Sequence, residues 1–299
     1  LGLRPLAVHF NDGFGNPVAG ENMIKVCRKL NVDLRTVTSD WRESKDIRVA
    51  FLKASTPDLE EGADIGIATS LYGTAAKENI KYIIIGQSFR TEGIAPFRWN
   101  YLDGKYLKAV HKKFGTVALR SWKPTSPGFN LDLWEMFYYT ILRGIRTLPI
   151  LYFVNYVRTD VDKLLQKEFD WKSPGAHYSD DLYQSLMTYV YRVKFGIDRR
   201  IYQYSALVRS NQMTREEALE KIQTRYSIEN PKIIELCIKR LGLTRKEFQA
   251  LIKNPPKTFM DYPNNWHLII KFKKVIELLS RLHVLPVAAY DKYFNTGEI

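Results

Sequence analysis

The sequence predicts an α/β fold in which a parallel sheet with covering helices is followed by a mostly helical C-terminal domain. Up to Ile85, short apolar runs alternate with segments that carry apolar residues at helical spacing. The run Tyr82–Ile85 is apolar at successive positions, which is typical of a parallel strand buried on both faces. From about Leu131 onward helical spacing dominates, and this order of elements is the pattern of the class.

Each element of the first part has a local signal. The predicted elements are a strand over 6–10, a helix over 21–30, a strand over 33–38, helices over 41–52 and 64–79, and a strand over 82–85. The turn residues Asn11, Asp12 and Gly13 stop the first strand, and Gly86 stops the last. In parallel sheets ligands bind beyond the carboxyl ends of the strands. We therefore expect a site near these two strand ends.

The second part is predicted to be helical. Candidate helices cover 131–143, 159–168, 180–195, 199–210, 214–222, 231–241, 244–252 and 265–283. Thr214 with Glu217, and Thr244 with Glu247, have the spacing of capping boxes. A stretch rich in Pro and Ser at 121–128 separates the two parts, so we predict an α/β domain over 1–125 and a helical domain over 126–299.

Two apolar segments allow more than one interpretation. The segment 148–157 is shorter than the ~20 residues of a membrane-spanning helix, and we predict that it is buried core. The amphipathic segment 265–283 fits a terminal helix packed on the core, which we favour, or a helix at a membrane surface.

Composition restricts the class of protein. The chain has 45 Lys and Arg against 32 Asp and Glu, a net charge of +13, which suggests anionic partners. Its 2 cysteines, Cys27 and Cys237, exclude a disulfide scaffold and a self-contained cysteine zinc site. No signal peptide is recognisable, and we expect a cytoplasmic protein. His177 has no second histidine nearby, so no residue is assigned as a metal ligand.

Polar side chains at the strand ends are the first candidates for a site. Asn11 and Asp12 suit a ribose hydroxyl or an adenine edge, although on this signal alone an ordinary turn is the favoured explanation. After Gly86 and Gln87, Arg90 offers a guanidinium that suits phosphate, followed by the hydroxyl of Thr91 and the carboxylate of Glu92. Gly86 and Gly93 permit close approach of the backbone to a ligand.

Further candidates lie on predicted helices. Asp58 and Asp64 can orient a substrate or bind magnesium, whereas Asp64 can also be the N-cap of its helix. Lys108 and Lys112 are four residues apart and share a helix face, which suits a phosphate or carboxylate as well as plain solvation. Arg199 and Arg200 follow a predicted N-cap, Asp198, where the helix dipole disfavours cations, and this indicates an anionic partner.

Several stretches together resemble a known family. They are 2–10, 51–55, 57–58, 89–94 with Pro96 and Trp99, 103–106, 194–199, 214–218 and 261–264. The most specific are Thr91-Glu92-Gly93 and the Lys-Phe-Gly-Ile-Asp stretch that begins at Lys194. Through them most of the chain resembles the N-acetyl sugar amidotransferases. These form a branch of the PP-loop ATP pyrophosphatases that acts in bacterial surface-polysaccharide and nonulosonic acid synthesis.

The resemblance implies a fold and a reaction. The fold would be that of the adenine nucleotide alpha hydrolases of PP-loop type, with residues 1–125 binding the nucleotide and 126–299 the substrate or a partner. ATP and Mg²⁺ would activate an acetamido oxygen of a nucleotide sugar or acidic sugar by adenylylation. Ammonia from a glutaminase partner would then displace AMP and leave an acetamidino group. The family's pyrophosphate loop would lie before Leu1, so the chain as given is not expected to turn over ATP.

The resemblance also suggests roles for individual residues. Asp64, Thr91 and Glu92 are predicted to be catalytic. The nucleotide contacts are predicted at Asn11, Asp12, Gly86, Gln87 and Gly93, and the substrate contacts at Arg90, Asp103, Lys108, Lys112 and Arg199. Two alternatives stay open: a PP-loop enzyme that modifies tRNA, and a non-catalytic subunit of a glycan-synthesis complex. Nucleic acid is not the expected partner, and no membrane span is predicted.

Overall fold

A computed structural model describes residues 2–93, 95–122, 129–173, 180–285 and 287–294. Its strands are β1 (Leu6–Asn11), β2 (Asp33–Thr38), β3 (Tyr82–Ile85) and β4 (Arg146–Pro149). Its helices are α1 (Pro17–Leu30), α2 (Trp41–Ala54), α3 (Glu61–Lys77), α4 (Gly104–Phe114), α5 (Leu133–Phe137), α6 (Arg158–Phe169), α7 (Tyr183–Val190), α8 (Arg199–Arg209), α9 (Arg215–Gln223), α10 (Pro231–Arg240), α11 (Arg245–Lys253), α12 (Trp266–Lys271), α13 (Lys273–Arg281) and α14 (Val287–Phe294). His177 and the predicted linker residues 123–128 lie outside the described residues.

The chain forms two compact units, each assembled from separate segments. Unit 1 comprises Leu1–Thr38, Arg90–Gly93 and Asn155–Ile252, and unit 2 comprises Ser39–Phe89, Ile94–Val154 and Lys253–Ile299. The assignment of nucleotide binding to residues 1–125 and of substrate or partner binding to 126–299 stays a prediction.

Unit 1 begins with a β–α–β arrangement. Strands β1 and β2 pair in parallel, from Leu6 opposite Asp33 to Asn11 opposite Thr38. Between them, α1 begins where the side chain of Asn16 accepts the Val18 N–H, with Pro17 in its first turn. It ends at Asn31, which adopts the left-handed conformation. Both strands and the helix were predicted, and local cap chemistry fixes where the helix starts and stops.

The remaining helices of unit 1 bury a core of large side chains. Tyr183, Leu186 and Met187 of α7 are almost fully buried, and the ring of Phe14 packs on that of Tyr183 at 5.2 Å between centroids. The predicted capping box of Thr214 and Glu217 is present at the start of α9. The second is confirmed by the hydrogen bonds between Thr244 and Glu247. The mostly helical nature of the C-terminal half is therefore confirmed.

In unit 2, the nearly buried helix α2 holds the chain that follows α4. The Glu43 carboxylate accepts the N–H groups of Arg120 and Ser121. The Asp46 carboxylate accepts from Thr116, from the Val117 N–H, and lies 2.8 Å from the ring Nε2 of His111. Burial opposes ionisation of Asp46, but these hydrogen bonds outweigh it and lower its pKa. The charged residues Glu43 and Asp46 of α2 thus accept the hydrogen bonds of backbone N–H groups in the loop after α4.

The structure corrects the predicted sheet. Within the described residues, β1 and β2 form one two-stranded parallel sheet and β3 and β4 form another, so the strands do not join into a single sheet. Strand β3 pairs with β4 from Tyr82 opposite Arg146 to Ile85 opposite Pro149. The chain is of mixed α/β type with parallel strands, as predicted. The PP-loop fold stays a prediction.

Three further expectations were wrong. The segment 148–157 is not buried core, because Phe153 is 69% exposed and Val154 47%. Asp64 is not an N-cap, because α3 already starts at Glu61. The helix predicted over 265–283 is interrupted at Phe272, whose ψ of 17° leaves the helical range and separates α12 from α13. Within the described ranges, no helix combines the length and apolar character needed to cross a membrane.

Candidate functional site

The residues after β1 form a tight turn through their own side chains. The side chain of Asn11 accepts the Gly13 N–H at 3.0 Å, and that of Asp12 accepts the Phe14 N–H at 3.1 Å. Gly13 has a φ of 95°, which favours glycine. Beside the turn, burial lowers the pKa of His9, opposed by the charge of Asp12. The turn interpretation of Asn11 and Asp12 is therefore confirmed, and their nucleoside contact stays a prediction.

The segment Arg90–Gly93 is anchored to α8. Gly93 has a φ of 72°, and a Cβ there would lie 2.7 Å from the carbonyl oxygen of Tyr202. The Ser210 hydroxyl donates to the Arg90 carbonyl at 2.8 Å. Thr91 is buried at 3% exposure. Gly93 is thus required by packing against α8, independently of any nucleotide.

Arg90 supplies a cation within this segment. Its Nε is buried and has no hydrogen-bond partner among the described residues. A buried guanidinium N–H without a partner is costly unless a ligand accepts from it. Arg90 therefore fits the predicted contact with phosphate or with an acidic sugar group.

Arg199 and Arg200 have partners inside unit 1. Arg199 donates to the Gln184 side chain at 2.5 Å and to the Tyr202 hydroxyl at 3.1 Å. Arg200 forms an ion pair with Asp198 at 2.7 Å and donates to backbone carbonyls at the end of α9. The misfit with the dipole of α8 therefore has an internal explanation, and it no longer indicates a ligand.

A pocket of about 600 Å³ in unit 1, the arginine pocket, lies beside these residues. It is lined by Tyr189, Arg192, Arg200, Ile222, Gln223, Thr224, Arg225, Tyr226, Glu229, Pro231, Ile234, Glu235, Ile238, Arg245, Phe248 and Gln249. This volume and the mixture of aromatic, apolar and charged side chains are typical of small-molecule sites.

The charges of the arginine pocket are only partly compensated. Arg192 binds Glu229 through two nitrogen atoms, at 2.9 and 2.7 Å, and Arg245 binds Glu235 at 2.7 Å. Arg225 donates to the backbone carbonyl of Glu229 and, within the described residues, pairs with no carboxylate. An unpaired guanidinium on the wall of a pocket favours an anionic ligand.

Tyr226 adds an unsatisfied hydroxyl to the same pocket. The residue is 8% exposed, and its hydroxyl has no hydrogen-bond partner among the described residues. Burial raises its pKa to about 12, opposed by Arg199. The guanidinium of Arg200 lies 5.2 Å from the centre of its ring. The hydroxyl is therefore neutral, and it is buried without an acceptor among the described residues.

Unit 2 contains a second group of predicted residues, around Asp103. The Asp103 carboxylate caps α4 by accepting the Lys105 N–H, and it also accepts from Tyr101 and from the backbone and side chain of Asn265. Asp64 accepts a long hydrogen bond, 3.5 Å, from the side chain of Asn100. Asp103 is thus a structural cap, and the roles predicted for both aspartates stay predictions.

Two buried carboxylates flank Asp103. Asp58 accepts the Tyr101 N–H and the Tyr106 hydroxyl. Glu61 is 1% exposed and accepts the Asp103 N–H at 2.7 Å. Burial, followed by the charge of Asp58, raises the pKa of Glu61 well above its usual range. Among the described residues, no group of three or more His, Cys, Asp or Glu has the arrangement of a metal site.

Asp64 and Asp103 also border a cavity in unit 2 of about 400 Å³, the apolar cavity. Its lining includes Ile65, Tyr72, Leu131, Met136, Ile269, Ile276 and Leu279. The Ser280 hydroxyl at its wall is buried and has no hydrogen-bond partner among the described residues. Burial raises the pKa of Glu135, on the neighbouring α5, to about 7.

The other predicted residues of unit 2 are on its surface. Lys108 and Lys112 are exposed on α4, as expected for a solvated face, and their contact with substrate stays a prediction. Gly86 and Gln87 follow β3, and a Cβ added to Gly86 would meet nothing within 4 Å. Nothing in the backbone therefore requires glycine at Gly86, and its approach to a nucleotide stays a prediction.

The structure thus groups the predicted residues within each unit. In unit 1, Arg90–Gly93 packs against α8, whose first residue is Arg199, and in unit 2, Asp64 and Asp103 border the apolar cavity. Four residues of the arginine pocket are not predicted from the sequence: Arg192, Arg225, Tyr226 and Arg245. A signal for three of them was available in the excess of basic residues after residue 110.

The arginine pocket lies entirely within a segment that is similar to a known family. Residues 159–273 match the family model for the C-terminal domain of proteins similar to WbpG, a lipopolysaccharide (LPS) biosynthesis protein. The match confirms, for this segment, the resemblance to a family of LPS and sugar amidotransferase type. No curated protein matches the chain.

Proposed function

We propose that the protein takes part in lipopolysaccharide biosynthesis as an ATP-dependent sugar amidotransferase, in which the arginine pocket binds the anionic part of the sugar substrate. One observation carries this proposal. The family match over 159–273 contains every residue that lines the pocket, and in that pocket the Arg225 guanidinium pairs with no carboxylate of the described residues.

The reaction requires an amide oxygen to be replaced by nitrogen. Because an amide oxygen is a poor leaving group, that oxygen would first take AMP from ATP with release of pyrophosphate. Ammonia from a glutaminase partner would then attack the same carbon, lose a proton and expel AMP, which carries the oxygen away. The residues of this chain have the task of binding the sugar, holding its acetamido group in place and keeping water away. Arg90 would supply positive charge where negative charge develops, and its buried Nε has no partner among the described residues.

Thr91 and Glu92 follow Arg90 on the segment that α8 anchors. Anchoring by Gly93 and Ser210 restricts the motion of this segment, which favours a fixed position for both side chains. We assign Glu92 to the reacting centre, where its carboxylate would hold the incoming ammonia or accept its proton. Mg²⁺ would be bound chiefly through phosphate oxygens, with Asp64 as the predicted protein contact.

The experiment uses the full gene product with ATP, Mg²⁺, ammonium and a panel of UDP- and CMP-linked N-acetyl sugars, and it follows pyrophosphate. The proposal expects release that depends on one sugar. Release with bulk tRNA instead would identify an RNA-modifying enzyme, and no release with either would identify a non-catalytic subunit.

A variant links the assay to the proposed site. Glu92→Ala is expected to abolish turnover, whereas the control Glu220→Ala, on the exposed face of α9, is expected to retain it. Equal activity of the two variants would exclude Glu92 from the reacting centre.

A further inference from the structure

Helix α13 carries more apolar surface than unit 2 covers. On one side, Ile276 and Leu279 line the apolar cavity. Val275, Leu278 and Leu282, in contrast, are 52%, 56% and 56% exposed. At about 100° per residue these three side chains fall within roughly 60° of arc, so they form one strip along the helix.

Helix α14 contacts another side of α13. The Lys273 ammonium group lies 5.1 Å from the centre of the Phe294 ring, and Glu277 forms a hydrogen bond with Tyr290. Both partners belong to α14. The apolar cavity and α14 therefore account for two sides of the helix, and the strip of Val275, Leu278 and Leu282 lies next to the cavity-lining side but outside both contacts.

Two more apolar side chains are exposed just before α13. Ile270 at the end of α12 is 50% exposed, and Phe272 between the two helices is 51% exposed. We call Ile270, Phe272, Val275, Leu278 and Leu282 the α13 strip. The predicted packing of 265–283 on the core therefore holds for Ile269, Ile276 and Leu279, whereas the α13 strip is exposed, as the surface-helix interpretation expects.

Basic side chains accompany the α13 strip. Lys271, Lys273, Lys274 and Arg281 lie in the same stretch and are exposed. The only acidic residue between Trp266 and Leu282 is Glu277, which pairs with Arg281 at 2.5 Å. Lysine is depleted at protein–protein interfaces, whereas an apolar strip with Lys and Arg beside it characterises helices that lie on anionic membranes. The charge therefore favours a lipid surface over a protein partner.

We propose that the α13 strip binds unit 2 to the surface of an anionic lipid bilayer. The apolar side chains enter the interface between headgroups and acyl chains, and Lys271 and Lys274 contact lipid phosphates. The helix lies on the membrane and does not cross it. This goes beyond the proposed function, which concerns only the reaction on the sugar and does not depend on membrane binding.

The test is co-sedimentation of the full chain with vesicles of phosphatidylglycerol and phosphatidylcholine, compared with phosphatidylcholine alone. We expect binding to the anionic vesicles and at least about tenfold weaker binding to the neutral ones. Because a net charge of +13 can itself attract anionic vesicles, variants must separate the strip from the overall charge.

Two double variants, each with a matched control, separate the effect of the strip from that of the overall charge. Val275→Ser with Leu278→Ser, which keeps the charge, and Lys271→Glu with Lys274→Glu are each expected to weaken binding about tenfold. The matched controls are Leu164→Ser with Leu219→Ser, which are 54% and 46% exposed in unit 1, and Lys232→Glu with Lys239→Glu on α10.

Thermal unfolding checks that each variant is folded, and the lysine pair tests the proposal even if the serine pair unfolds. Three results would overturn it. The first is equal binding by the strip variants and their controls, and the second is no binding to anionic vesicles. The third is sedimentation of the chain as a dimer that dissociates into monomers in the serine double variant.

Discussion

Glu61 accepts the backbone N–H of Asp103 through one carboxylate oxygen, at 2.7 Å, while its other oxygen is buried without a hydrogen-bond partner among the described residues. Asp58 adds a second buried carboxyl group nearby, and together with burial it raises the pKa of Glu61. A carboxyl group in this setting is protonated in the folded state at a pH where the unfolded chain has already ionised.

The pH dependence of stability follows from this pKa. Because the pKa of Glu61 is raised on folding, its contribution is fully present below its unfolded pKa of about 4.3 and is lost as pH rises toward the folded pKa. Glu61→Gln cannot ionise and keeps an acceptor for the Asp103 N–H. Above pH ~5, the free energy of unfolding of the variant should therefore rise relative to that of the wild type by up to ~1.4 kcal/mol per pH unit. Urea unfolding between pH 5 and 8 measures the difference, with the exposed Glu216→Gln as control. A constant difference across this range would contradict the raised pKa.

Gly93 and Gly86 provide a matched pair of glycines. Gly93→Ala places a Cβ 2.7 Å from the Tyr202 carbonyl oxygen at a φ of 72°, and should cost about 2 kcal/mol or more of unfolding free energy. Gly86→Ala meets nothing within 4 Å and should change stability by less than about 0.5 kcal/mol. Chemical denaturation of both variants measures these changes in unfolding free energy. Equal losses in the two variants would show that Arg90–Gly93 does not pack on α8 as described.

Arg225 tests the arginine pocket as the substrate site. Arg225→Ala should raise the KM for the sugar about tenfold with little change in kcat, because a charge-assisted hydrogen bond to a bound anion is worth roughly 1.4 kcal/mol or more. Arg225→Lys should recover part of the loss, since it retains the charge but not the planar guanidinium. Arg209→Ala, outside the pocket, is the control. A KM equal to that of the wild type would remove the sugar from this pocket.

Replacing Tyr226 should affect the affinity for the sugar and the stability of the free protein in different ways. Its buried hydroxyl lacks a partner among the described residues, so Tyr226→Phe should leave the free protein equally stable or stabilise it by about 1 kcal/mol. If the substrate satisfies the hydroxyl, the same variant should bind the sugar several-fold more weakly. Calorimetric titration and thermal unfolding of one preparation give both values. Unchanged affinity would show that the hydroxyl does not face the ligand.

Local chemistry made part of the fold predictable. Strands β2 and β3 have the predicted bounds because β-branched and apolar runs end at clear turn residues, and the caps at Thr214 and Thr244 follow from spacing alone. Strand β4 was missed because four residues from Arg146 to Pro149 have no periodicity of their own. Their strand conformation depends on pairing with β3, far away in the sequence.

The site was less predictable for a related reason. Arg199 was predicted to bind substrate, but Gln184 on another helix receives its guanidinium. Arg225 and Tyr226 follow α9 and carry no motif. Their significance comes from unsatisfied polar groups in a pocket, which only the packing of several helices reveals.

The most direct test of the proposed function is the fate of the nitrogen atom. The full gene product is incubated with ATP, Mg²⁺, nitrogen-15 ammonium and the sugar that stimulates pyrophosphate release, and the product is analysed by mass spectrometry. The proposed function predicts a sugar in which the acetamido oxygen has been replaced by a labelled nitrogen, formed in the same amount as the pyrophosphate that is released. A sugar that keeps its oxygen and carries no label would contradict it.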